Sequence, residues 1–118
     1  MARIAGTTYI KVDGEQLSLI GGMEVPLNLK VKETITDLGG GNDYKETHRA
    51  PYMKGTFKVP KGFPLKKIIE GDSMTITSEL ANGWVHVLKN AWLEGEANYN
   101  PEDGTVDLQF NAEEGFFQ

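Results

Sequence analysis

Two histidines, His48 and His86, are the side chains in this 118-residue chain best suited to move a proton near neutral pH. If Asn82-Gly83 closes a two-residue hairpin, Glu79 faces His86 and Leu80 faces Val85. A carboxylate beside an imidazole is the pairing of a general base with its orienting group. On a solvated sheet the same pair is a cross-strand polar contact worth about 0.2–1 kcal/mol. No nucleophile lies near it in sequence, so the polar contact is the preferred reading and no catalytic residue is expected. Two histidines without ligand-like spacing, in a chain with no cysteine, make no metal site, and nothing calls for a cofactor. Gly39-Gly40-Gly41 lacks the following Lys-Ser/Thr and helix of a phosphate cradle, so it is expected to be a flexible tip. Trp84, Trp92 and Phe116-Phe117 could stack on bases or sugars, but no basic groove accompanies them.

Charge narrows the choice of partners. Seventeen acidic residues stand against twelve basic ones, for a net charge of −5. Proteins that grip nucleic acid neutralise phosphates with clustered Lys and Arg, whereas here Lys66-Lys67 is the only adjacent basic pair. The absence of cysteine excludes a disulfide framework and suits a reducing compartment. Residues 1–20 contain Arg3 but no apolar run, so no signal peptide is expected, nor any span of a bilayer. The length is that of one domain, 1–118, able to hide roughly 65% of its unfolded surface.

The elements that would position these residues are mostly strands. TTYIKVDGEQLSLIGG places Asp13-Gly14, a two-residue turn signal, between alternating runs, which sets Ile10 opposite Leu17 and Thr8 opposite Leu19. MEVPLNLKVKETIT alternates with Val25, Leu27, Leu29, Val31 and Ile35 on one face; Pro26 confines its start to an edge or a bulge. Residues 37–51 carry the three glycines without periodicity and are expected as one long flexible loop, a length that usually serves a purpose. A strand YMKGTFKVP follows, then Pro64, Leu65, Ile68, Ile69 and Gly71 spell a short helix able to plug one end of a sheet. In the last hairpin, turning at Pro101–Gly104, Tyr99 should pair with Val106 and Ala97 with Leu108. The expected fold is all-β and mainly antiparallel, a β-sandwich or partly closed barrel of about seven or eight strands with one short α-helix.

Two features exceed an ordinary sheet. The polar face of the last hairpin carries Glu94, Glu96, Asn98, Asp107, Gln109 and Asn111 with no basic residue, although like charges on neighbouring strands repel. Both chain ends are apolar, Ile4-Ala5 and Phe116-Phe117, which suggests that they are tied down on their own core or on a neighbouring subunit.

The blocks ARIAGTTYIKVDGEQLSL, YKETHRAPYMKGTFKVP, TSELANGWVHVLKNAWLEGEANYN and GTVDLQFNAEEGFFQ resemble, in order and spacing, the tail tube proteins of Mu-like contractile-tailed phages and prophages. The resemblance covers nearly the whole chain. It implies a non-enzymatic virion protein, made in the bacterial host cytoplasm, that forms six-fold rings stacked into a tube inside a contractile sheath. DNA would pass through the bore without specific binding. Expected partners are further copies of the chain and the sheath, baseplate, tape-measure and tail-terminator proteins. A bore through which DNA slides should be polar and acidic, which makes Glu94, Glu96, Asp107 and Gln109 candidate lumen-lining residues. The even-numbered face of residues 24–34 is a second candidate for that wall. Tyr44, His48 and Arg49 in the 37–51 segment, with Phe116 and Phe117, are candidate contacts between stacked rings. The alternatives are a tube subunit of a bacteriocin or secretion-system device, and a small β-barrel ligand-binding module.

Overall fold

The structure is a computed structural model and describes residues 6–118, so Ile4 and Ala5 lie outside the described residues. The described residues form ten strands and one helix: β1 (Tyr9–Val12), β2 (Glu15–Leu17), β3 (Leu19–Glu24), β4 (Lys30–Thr36), β5 (Asn42–His48), β6 (Tyr52–Lys58), α1 (Leu65–Glu70), β7 (Met74–Glu79), β8 (Val85–Leu93), β9 (Tyr99–Asn100) and β10 (Thr105–Phe117). Eight strands form one antiparallel sheet in the order β2-β1-β7-β8-β10-β6-β3, with β9 on β10. Its two edge strands, β2 and β3, are separated in sequence by Ser18 alone. A chain can pass from one edge to the other in one residue only if the edges are close in space, so the sheet is rolled into a nearly closed barrel. The Lys58 amide donates to the Ser18 carbonyl at 2.9 Å and pins this corner.

Asp13 and Gly14 both have positive φ, 50° and 85°, as a primed two-residue turn demands, and Ile10 pairs with Leu17 as expected. The expected pairing of Thr8 with Leu19 does not form. The chain turns the corner at Ser18, and Leu19 pairs with Phe57 on the adjacent strand β6. The core is the inward-facing row of Ile10, Val12, Met53, Phe57, Ile76, Leu88, Phe110 and their neighbours. Helix α1 plugs one end through Ile68, which is buried. Gly71 follows it because a Cβ there would lie 2.7 Å from the Lys67 carbonyl oxygen, whose bond to the Gly71 amide ends the helix.

Residues 37–51 correct the expectation of a long loop. Asn42–His48 form a seven-residue strand paired in register with β4, from Lys30 opposite His48 to Thr36 opposite Asn42. The pair is a separate two-stranded sheet, an arm outside the barrel. Every residue of β5 is exposed, and of β4 only Val31 is partly covered. With neither face buried, nothing requires apolar and polar residues to alternate, so the strand leaves no period-2 signal. The arm also explains a radius of gyration of 17.2 Å, against about 13.5 Å for a spherical domain of this length.

Candidate functional site

The pair that might have done chemistry is not assembled. The turn after β7 spans three residues and ends on Gly83 at φ 95°, with the Gly83 amide donating to Leu80 and the Leu80 amide to Trp84. That extra residue moves the register by one. Glu79 faces Val85, and His86 faces Ser78. His86 is only 2% exposed and stacks on Phe117, with ring centroids 4.9 Å apart. Neither its Nδ1 nor the Ser78 Oγ has a hydrogen-bond partner, and burial pushes the imidazole below its ordinary pKa. No carboxylate orients the ring, so it cannot serve as an oriented base. Among the described residues no three His, Asp or Glu side chains converge as metal ligands.

The triglycine tip is likewise spoken for. Asp37 Oδ1 accepts from the amides of Gly39 at 2.9 Å and Gly41 at 2.8 Å, so the tip's own carboxylate occupies the donors a phosphate would need.

The expected lumen residues do come together. Along β10, Asp107 and Gln109 alternate with the buried Val106, Leu108 and Phe110 and point to the outer face. The sheet is interrupted beside them. Leu93 pairs with Phe110 and Tyr99 with Val106, the latter as expected, but after the Glu94 amide bonds the Gln109 carbonyl, residues 95–98 leave the ladder around Gly95, whose φ is 70°. The expected pairing of Ala97 with Leu108 is therefore absent, and Glu94 and Glu96 project beside β10. All four residues line one open groove of about 470 Å³, floored by Gly22 and Gly55.

The sequence reading missed the polar residues that β6 brings to this groove, Lys54 and Thr56. Lys54, on β6, stands opposite Gln109 and lines it too. Its ammonium pairs with Glu24 at 3.6 Å, and the Glu24 carboxylate also accepts from Tyr52 Oη at 2.6 Å. The Tyr52 hydrogen bond, with Lys54 second, holds Glu24 below its ordinary pKa. Asp107 accepts from Thr56 Oγ1 at 2.5 Å. Three carboxylates against one already-paired ammonium leave the groove negative. Of the second candidate wall, Glu24 belongs to this face, whereas Lys30, Lys32 and Thr34 belong to the arm.

The candidate ring contacts divide into two groups. Tyr44 and His48 lie on β5; Tyr44 is exposed, with the Lys32 ammonium 5.1 Å from its ring centre. Arg49 is the arm's anchor: its Nε and Nη2 donate to the backbone carbonyl and Oδ1 of Asn28, at 2.8 and 3.1 Å. Phe116 lies under the Lys89 ammonium, and Phe117 packs edge-on against Trp84 at 5.3 Å. The C-terminal aromatics are thus seated on their own fold.

Comparison with known proteins gives these surfaces a context. A search of curated sequences finds no match. Several solved structures share the fold. The tube-terminating cap of the anti-feeding prophage is 13% identical with TM-score 0.64, covering 94% of this chain and 87% of that one. A chain of the sheath–tube complex of an extracellular contractile injection system, PVC, in the extended state is 14% identical with TM-score 0.61, at 94% and 87% coverage. Hcp1 from Flavobacterium johnsoniae is 10% identical with TM-score 0.63, at 93% and 93% coverage. The family profile described as phage tail tube protein matches residues 1–116, and this chain belongs to that family of structural, non-enzymatic tube subunits.

Proposed function

We propose that copies of this chain assemble into hexameric rings that stack as the tail tube of a contractile phage, through which DNA passes to the host. The observation that carries this reading is the β4–β5 arm. Two strands with no face buried are marginally stable in water. This pair also exposes Ile35, Leu38 and Tyr44, so it needs a partner surface. Further copies of the chain supply one. Lateral neighbours in a ring would also cover the barrel's two free borders, β2 and β3, which otherwise invite aggregation. The negative groove around Glu94, Glu96 and Asp107 would face the bore, where a surface that repels phosphates lets DNA slide. Sheath and terminator proteins are natural partners, as in the sheath–tube and terminating-cap complexes that share the fold. Baseplate and tape-measure proteins complete the set, and assembly takes place in the bacterial host's cytoplasm.

Electron microscopy of the concentrated purified chain tests this reading: rings or tubes are expected, and a monomer at every concentration contradicts it. A second reading, a tube subunit of an injection device that carries no genome, draws on the fold shared with the PVC complex and Hcp1. Particles purified with a DNA-filled capsid decide for the phage.

A further inference from the structure

The arm leaves the barrel through residues 25–29 and returns through residues 49–51. Among the described residues its strands pair only with each other, so the direction in which it points is set at these two connections. Neither connection contains glycine, and each carries a buried proline, Pro26 or Pro51, whose ring fixes φ. Both are seated on β10. The Pro51 carbonyl accepts from the Ala112 amide at 3.1 Å, and Pro26 shares a small cleft with Phe116 and Phe117.

Two ties cross between the connections, one at each end. At the arm end, the Arg49 amide donates to the Leu29 carbonyl at 2.9 Å, beside the two guanidinium bonds to Asn28. At the barrel end, where β3 stops and β6 starts, the Tyr52 hydroxyl donates to the Glu24 carboxylate, which Lys54 holds from the barrel side. The Arg49 guanidinium also lies 5.7 Å from the centre of the Tyr52 ring and so braces one tie against the other. Two connections and two crosspieces make a closed frame. One tie alone would leave the arm free to swing about it. Exposed polar contacts of this kind add little to global stability, so what they contribute here is direction.

We infer that this frame fixes the direction of the arm within a single copy, before any neighbour binds, and that Arg49 and Tyr52 are its positioning residues. A neighbour then meets an arm already aimed, and the ordering cost of aiming it does not fall on assembly. Arg49 suits the post because its planar fork reaches the Asn28 carbonyl and Oδ1 together, which a lysine ammonium cannot reproduce. The effect on assembly rests on the tube reading; the fixed direction of the arm does not.

The chain has no cysteine, so spin labels on Leu38→Cys in the arm and Glu79→Cys on the barrel report one distance without background. Pulsed electron paramagnetic resonance of the dilute monomer is expected to give one narrow distance distribution. It should broaden in Arg49→Ala, in Arg49→Lys and in Tyr52→Phe, with the melting temperature nearly unchanged. A broad distribution with the frame intact overturns the inference, as does a narrow one in the Arg49→Ala, Tyr52→Phe double variant. A large fall in melting temperature would make these residues merely structural and overturns their positioning role. In unlabelled protein, Arg49→Ala should raise the critical concentration for tubes about tenfold, the equivalent of ordering roughly one more backbone residue. An unchanged critical concentration beside a broadened distribution overturns the frame's part in assembly. A narrow distribution in a chain that never forms tubes removes the tube reading and leaves the frame standing.

Discussion

His86 sits where charging it costs hydration that no neighbour restores, since its Nδ1 is unpartnered and burial is the cause of its lowered pKa. The sign follows from proton counting. Below the ordinary value of 6.5 the unfolded chain takes up a proton on this residue that the folded chain does not. Stability is therefore complete above that pH and declines as pH falls through it, by at most about 1.4 kcal/mol per pH unit. We expect the melting temperature to drop between pH 7.5 and 5.5 and the drop to shrink in His86→Leu; an equal slope in the variant contradicts this. Gly115 supplies a second prediction. A Cβ there would lie 2.5 Å from Pro51 Cβ and 2.9 Å from a Leu88 methyl, so Gly115→Ala should cost about 1–3 kcal/mol, seen as a lower urea midpoint. An unchanged midpoint would show that β10 shifts freely at this point. Individual residues were unevenly legible in the sequence. Asp107 and Gln109 could be placed on a polar face because they alternate with apolar neighbours on their own strand. Lys54 could not, because it joins that face from a strand more than fifty residues away, and pairing between distant strands leaves no mark in local sequence.

Elements with one buried face were legible, and of the two exposed arm strands β4 was legible through its alternation of Val31 and Ile35 while β5 was not. The Asp13-Gly14 turn allows one register, and Pro64, Ile68 and Gly71 bracket a helix; both appear where expected. At Asn82-Gly83 the register differs by one residue from that of a two-residue turn, because the same dipeptide also suits a three-residue turn with glycine last. β5 was invisible because its fully exposed NDYKETH carries no apolar alternation, and its pairing with β4 is what makes it a strand. The arm makes a prediction at this scale. Its strands contribute nothing to the core, so deleting residues 39–43 should leave the melting temperature of the monomer nearly unchanged while abolishing polymer in a sedimentation assay. Polymer of normal length from the deletion would remove the arm from assembly.

For the whole molecule, two surfaces must be satisfied together: free strand borders and arm outward to neighbours, and a negative face turned away from them. Changing Glu94, Glu96 and Asp107 to Lys should spare assembly, because these residues lie away from the arm, yet make the tubes retain DNA. A gel shift should appear at low salt and vanish as salt rises, where the unsubstituted protein gives none. The central claim is tested most directly by a cryo-electron microscopy reconstruction of the assembled particle, in which the position of Glu96 is read against the tube axis. The account predicts a hollow polymer with Glu96 and Asp107 facing the bore and β2 and β3 covered by neighbouring copies. A reconstruction with Glu96 on the outer wall, or with both borders bare, contradicts it.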